Sequence, residues 1–319
     1  MTQTSAVDTT EEQLKDAFNT YYANTLYPFL KSKEDIRVKY LNRFIALLLL
    51  ALIILPMIAL GMYTYSVAFQ VDIDWGLFMI PLAVAIYIVQ GPYSKYDSEV
   101  KTQTMHLFIR FFEGFSYARG RGLNQKELVD SHIFPPYDRE SADDCFSGTY
   151  DGVGVRVCEE TLKQVRHSSK GTRTYTVFQG IGIELDMNKS FSGQTVVLKD
   201  LGIFNRLKRI RGMENVKLED VVFEKEFEVY ATDQIEARYL LTTAFMERLL
   251  KLKELYKGNK IQASFFGNKI LIAVQTNQNM FEPCSFFKTN LKRQKVDVVF
   301  NQIMTVLSIV HVLKLNDKR

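Results

Sequence analysis

Cysteine is scarce in this 319-residue chain, and the three present, Cys145, Cys158 and Cys284, are odd in number and follow no pattern. No zinc or redox spacing is formed, and in a reducing compartment three free thiols are expected. There is no P-loop, no serine nucleophile motif, no metal-ligand spacing and no paired His/Cys chemistry. The expected catalytic, cofactor-binding and metal residues are therefore none. An enzyme whose active site is built from dispersed residues escapes this test. Positive charge is in small excess, +4. That suits the cytoplasmic face of an anionic bilayer and is too weak to argue for nucleic acid. The opening MTQTSAVDTTEE has no basic stretch leading into an apolar core, so no cleavable signal peptide is expected.

One absence organises the rest. No charged residue occurs between Phe44 and Val71. The run FIALLLLALIILPMIALGMY meets the roughly 20 apolar residues needed to cross a hydrocarbon core of about 30 Å. Pro56 and Gly61 are tolerated in such a helix. A second run, WGLFMIPLAVAIYIVQGPY, spans Trp75 to Tyr93 and is shorter, with Pro81 inside it. The link Gln70-Val71-Asp72-Ile73-Asp74 carries two acids and no base. Tyr63, Tyr65, Trp75 and Tyr93 stand near the run ends, at the headgroup level. A helix that is apolar all round needs a very large core to be stable in water, so a membrane hairpin is expected. Lys31, Lys33, Arg37, Lys39 and Arg43 precede the first run, and Lys95, Lys101 and Arg110 follow the second. The positive-inside rule puts both termini in the cytoplasm and only the short link outside. The expected location is the inner, cytoplasmic membrane, as a multi-pass protein.

The expected divisions are a disordered 1–10, a helical segment 11–43 and the hairpin 44–93. Juxtamembrane helices at 94–142, a cytoplasmic α+β domain at 143–289 and an amphipathic helix at 290–319 follow. In the first helical segment, Leu14, Phe18, Tyr22, Leu26, Phe29 and Leu30 recur at helical spacing, with a break or kink at Pro28. That stripe suits the bilayer surface or a partner, and equally the protein's own soluble part. Ser98 to Ala118 reads as one helix, and Asn124 as an N-cap with Glu127 in the capping-box position. Val153, Val155 and Val157 alternate as in a strand. HSSKGTR reads as a hairpin loop leading into TYTVFQGIGIELDMN, whose Gly180 and Gly182 suggest close packing or a bulge. GQTVVLKD is a further strand.

Arg206, Lys208, Arg209 and Arg211 form the densest basic cluster. They suit anionic lipid headgroups, at about 1 kcal/mol each near a charged surface, or simply a solvated face. Val216 to Ala231 reads as a strand with Glu224, Glu226 and Glu228 on a solvent-facing edge. Asp233 caps a helix, in which Arg238 is expected to form a salt bridge, and Thr242 caps another. IQASFF, Gly267-Asn268 and KILIAVQ make a hairpin. The final helix carries Val296, Val299, Phe300, Ile303, Leu307 and Val310 on one face. His106 and His311 read as structural residues rather than ligands. Strands arriving as hairpins and meanders make the fold class α+β, mainly antiparallel, behind a two-helix membrane hairpin.

Two stretches, VFQGIGIELDMNKSFSGQTVV and FEKEFEVYATDQIEARYLLTTAFMERLL, resemble the bacterial domain-of-unknown-function family numbered three-one-three-seven. Its pattern falls on Phe178, Gly180, Asn188, Lys189, Phe191, Gly193 and Thr195. It continues at Phe223, Phe227, Val229, Tyr230, Asp233, Ala237, Arg238, Tyr239, Leu241, Thr242 and Met246. The resemblance covers roughly residues 10 to 285, with a departure at Thr243, where the family favours proline. It implies an integral membrane protein with a cytoplasmic domain and a LemA-type membrane protein as partner, and it supplies no activity. The functional expectation is a membrane-tethered interaction, scaffold or lipid-sensing module. Its partners are the bilayer and another membrane protein, with homo-oligomerisation open. The alternatives are a membrane-surface enzyme and an accessory subunit of a transport complex.

Overall fold

A computed structural model describes residues 3–72, 74–169, 171–187, 190–199, 210, 212–257 and 260–317. The side chains of residues 3–11, 75, 255 and 311–317 lie outside the description. The chain forms two compact units. A helical unit comprises Asp16–Phe108 and Glu282–Val296, and a sheet unit comprises Met1–Lys15, Ile109–Phe281 and Asp297–Arg319.

The N-terminal helices are α1 (Gln3–Tyr21), a π turn (Tyr22–Leu26) and α2 (Tyr27–Phe69). Disorder was expected to residue 10, but α1 begins at Gln3, and no glycine or proline interrupts the sequence before Pro28. Pro28 does not end the helix either. It stands in the first turn of α2, where its missing N–H is not needed, and the wide π turn directly before it absorbs the irregularity. Gln70 closes α2 in the left-handed conformation at φ 52°, as a helix C-terminus favours. Asp74 caps the short 3₁₀ turn Trp75–Phe78 by accepting from the Gly76 N–H at 2.8 Å. Helix α3 (Met79–Tyr96) then returns alongside α2. A second π turn (Asp97–Lys101) leads into α4 (Thr102–Ile109).

Of the stripe on α1 and the following turns, Phe18, Tyr22, Leu26 and Leu30 are buried and Leu14 and Phe29 half-buried. Phe18 meets the Phe108 ring edge-on at 5.5 Å, and the Arg293 guanidinium lies 4.9 Å from the Tyr22 ring centre. The four buried side chains pack on the protein itself.

The helix expected over Ser98–Ala118 stops at Ile109, and β1 (Phe115–Arg119) follows. Gly114, at φ +80°, is the breaker between them. After α5 (Gln125–Asp130), the strands are β2 (Arg139–Tyr150), β3 (Val153–Ser168), β4 (Gly171–Asp186), β5 (Thr195–Lys199) and β6 (Glu214–Val216). Then come α6 (Val221–Glu226), β7 (Phe227–Ala231), α7 (Gln234–Leu240), α8 (Thr243–Leu255), β8 (Lys260–Phe266), β9 (Lys269–Gln275) and α9 (Gln294–Asp317). The described strands form one antiparallel sheet in the order β1-β2-β3-β4-β9-β8-β5-β7-β6.

Alternation divides the sheet's two faces. Val155, Val157, Ile183, Ile272 and Phe265 are buried on one, where the Phe245 ring of α8 lies 5.3 Å from Phe265. Cys158, Leu162, Phe178 and Leu271 pack on the other against Leu123, Leu128 and Ile133.

Two further expectations are corrected. The strand reading of Val216–Ala231 fails in its middle, because Asp220 accepts from the Val222 and Phe223 N–H groups and starts α6. Glu224 and Glu226 therefore leave the sheet, Glu226 pairing with Lys253 at 2.7 Å. Glu228 stands on β7, an inner strand between β5 and β6. The expectation of three free thiols also fails. Cys145 and Cys158 are cross-strand partners in the β2–β3 register, 4.1 Å apart at Cα, and are bonded. Cys284 is free and buried.

Candidate functional site

The helical unit presents the most distinctive surface. On α2, Leu49, Leu52, Ile53, Met57 and Leu60 are more than half exposed. Leu77, Met79, Ile80 and Val84 continue this on the returning arm. Both helices are long and apolar enough to cross a membrane.

At the charged end of this hairpin, residues 282–293 are tied to the helices by a polar lock. The Arg37 guanidinium donates to the Phe286 carbonyl at 2.9 Å and to Glu34 at 2.9 Å. The Tyr96 hydroxyl donates to the Ser285 carbonyl at 2.9 Å and accepts from the Asn290 side chain at 2.8 Å. Asn290 also receives the Ser285 N–H at 2.6 Å. Lys101 pairs with Glu282 at 2.6 Å. Burial works against ionisation of Glu34. The Arg37 guanidinium, the Thr289 hydroxyl and the Asn290 N–H outweigh it and keep the pKa below the ordinary value. Burial pushes the Tyr96 hydroxyl well up and the Cys284 thiol up to about 12, so both stay protonated. Every charge in the lock has a partner, as buried charge requires.

A second polar cluster lies in the sheet unit. The register of β2 on β3 slips between Ala142 and Cys145, and this bulge turns Asp143 and Asp144 toward Glu159. One carboxylate oxygen from each lies within 4.8 Å of the others. Asp143 and Glu159 border a recess of about 240 Å³ lined also by Ser141, Thr161, Gln179 and Gln278. Carboxylates so grouped could hold a divalent cation. Their oxygens already serve the fold: Arg119 pairs with Asp143 at 3.0 Å, the Tyr117 hydroxyl donates to Asp144, and the Met280 N–H donates to Glu159. The sequence reading missed this cluster. The signal was a pair of aspartates beside a cysteine whose partner strand carries a glutamate pair.

Among the residues singled out from the sequence, Arg206, Lys208, Arg209 and Arg211 lie outside the described residues, as do Asn188 and Lys189. Of the other family-pattern positions, Gly193 and Asp233 meet at one joint. Asp233 caps α7, accepting from Ile235 and Glu236 N–H groups at 2.8 and 3.0 Å. Glu236 does not fold back on its own helix. Its two oxygens accept the Ser192 and Gly193 N–H groups, each at 2.8 Å. The Thr232 hydroxyl accepts the Gln194 N–H at 2.8 Å, and a Cβ on Gly193 would collide with that hydroxyl. Gly180 is held by backbone too, since a Cβ there would strike the Val274 carbonyl. Phe178 is buried edge-on against Phe134 at 4.9 Å. Arg238, expected in a salt bridge, donates to the Gln234 main-chain and side-chain oxygens at 3.3 and 3.4 Å. Glu127 likewise leaves its capping role and pairs with Lys269 at 2.8 Å.

No curated protein matches the sequence. Among solved structures, the mycobacterial trehalose monomycolate transport factor A, TtfA, is similar at 12% identity and a TM-score of 0.37, covering 67% of this chain and 97% of that one. A likeness at that level transfers neither fold nor function. The family model described as "Protein of unknown function (DUF3137)" matches residues 176–315. It includes both stretches that carry the resemblance, but it starts at residue 176 rather than near residue 10 and so leaves out the apolar hairpin, and it runs on through most of α9, beyond the expected limit near residue 285. The match thus supports the resemblance to the DUF3137 family over residues 176–315, and it brings no activity.

Proposed function

We propose that this protein is a membrane-tethered interaction module of the bacterial cytoplasmic membrane, with two spans and a cytoplasmic sheet domain that engages a membrane partner or anionic lipid. The observation that carries it is the hairpin, whose long helices leave their apolar side chains uncovered where a soluble protein would bury them. The basic residues on its flanks and the acidic link favour cytoplasmic ends.

The Cys145–Cys158 bond pulls the other way, since disulfides persist mainly in oxidising compartments. The flanking charges weigh more. They act directly on insertion, whereas the two thiols face each other across the ladder in either redox state.

Crosslinking in cells from the side of the sheet domain, followed by mass spectrometry of captured proteins and lipids, tests the role. A reproducible membrane-protein partner supports an adaptor. Enriched anionic lipid that falls away when Arg206, Lys208, Arg209 and Arg211 are replaced by Gln supports lipid sensing. Recovery of neither contradicts the proposal and returns weight to a surface enzyme.

A further inference from the structure

The polar lock has an apolar counterpart one residue further on. Phe286 is 4% exposed, and its ring meets those of Phe44 at 5.6 Å, Tyr93 at 5.3 Å and Tyr96 at 5.1 Å. Phe44 opens the first apolar run and Tyr93 closes the second. Both therefore mark the same level of the hairpin, where apolar surface gives way to charge. Phe287 is adjacent, touching Phe44 at 5.8 Å and Phe286 at 5.1 Å, yet is 62% exposed. A fold that can bury one phenylalanine leaves the next uncovered at that level. Lys288 follows it, and Arg43 and Lys95 flank the two runs there; all three are exposed.

We infer that residues 285–288 form a third membrane contact, with Phe287 inserted at the headgroup–acyl boundary and Lys288, Arg43 and Lys95 facing anionic headgroups. The occupant of this surface is the bilayer that receives the hairpin. Phe287 extends the hairpin's apolar surface sideways at its boundary, and aromatic rings beside basic residues suit that depth. The segment lies more than two hundred residues from the hairpin in sequence. Arg37, Tyr96 and Asn290 hold its backbone, so the chain returning from the sheet domain is fixed at the membrane surface.

This inference rests on the membrane reading of the hairpin, and one experiment separates their failures. The chain has a single tryptophan, Trp75. In a Trp75→Phe background, Phe287→Trp and, separately, Leu52→Trp would be introduced into the full chain. Each variant would be reconstituted in phosphatidylcholine–phosphatidylglycerol vesicles. Fluorescence would be read with lipids brominated near the headgroup end or near the methyl end of the acyl chain. The Phe287→Trp variant is expected to emit blue-shifted and to be quenched about twofold more by shallow than by deep bromine, as an interfacial ring should be. The Leu52→Trp variant should show the reverse preference. If Leu52→Trp is quenched and Phe287→Trp is red-shifted and unquenched, the third contact is overturned and the hairpin reading stands. If neither is quenched, both are overturned.

Discussion

The Arg37 guanidinium and the Phe286 carbonyl are 2.9 Å apart, joined across 249 residues of sequence. One residue belongs to the basic flank of the first apolar run, and the other to the strap that follows the sheet. Arg37 thus reads as a topology signal in the sequence and acts as a buried hydrogen-bond donor in the fold. Replacing it with Met leaves the Phe286 carbonyl and Glu34 without their charged donor, at a cost of about 2–4 kcal/mol. Amide exchange in residues 285–291 should quicken in Arg37→Met while β3 and β4 stay protected. Unchanged exchange in the strap would show that the lock does not hold it.

Gly193 and Glu236 make a second checkable joint. Gly193→Ala drives a methyl into the Thr232 hydroxyl and should cost about 1–3 kcal/mol. Glu236→Ala removes the acceptor of two N–H groups and should cost a similar amount. Because both changes break the same joint, the double variant should lose less than the two losses combined, as read from denaturant midpoints. Full additivity would contradict the coupling.

Glu160 gives a pH dependence. Its carboxyl is almost fully buried on β3. Burial raises its pKa from 4.5 to about 7, against the Leu123 N–H that favours the ionised form. A raised carboxyl pKa means the folded state prefers the proton. Its stabilising contribution is complete below about pH 4.5 and is lost as pH rises through about 7. The gap between those values, at about 1.4 kcal/mol per pH unit, bounds the effect at about 3.5 kcal/mol. Glu160→Gln should therefore be more stable than wild type at pH 8 and nearly equal at pH 5. An advantage that does not change with pH would contradict this.

The paired cysteines give a count. Alkylation of the denatured, unreduced chain should label one thiol, Cys284, and reduction should raise this to three. Three labels without reductant would restore the reading of three free thiols.

What was legible in the sequence was local. Unbroken apolarity gave the hairpin, Gly267-Asn268 gave the β8–β9 turn, and Asp233 and Thr242 gave the caps of α7 and α8. Errors came where a local signal was overlooked or overridden. Gly114 and Asp220 are single residues that end one element or start another, and alternation read across them joined unlike segments. The Asp151-Gly152 dipeptide, with both residues at positive φ, carries a two-residue turn signal, yet the β2–β3 hairpin passed unread. The partners of Glu236, Glu127 and Cys145 depend on strand register and on contacts tens of residues away. No periodicity encodes those. For the same reason the polar lock is not visible in sequence.

The account rests on which side of a membrane the sheet domain lies. The folded protein offers no reactive native thiol, since Cys284 is buried and Cys145 and Cys158 are bonded and buried. A cysteine placed at Asp72 in the link, or at Arg173 in the exposed part of β4, would therefore report alone. Intact bacterial cells would be treated with a membrane-impermeant maleimide. Labelling of Asp72→Cys without lysis, and of Arg173→Cys only after lysis, is the predicted result. Labelling of Arg173→Cys in intact cells would place the sheet domain outside and contradict the account. Failure of Asp72→Cys to label until lysis would contradict the two-span hairpin.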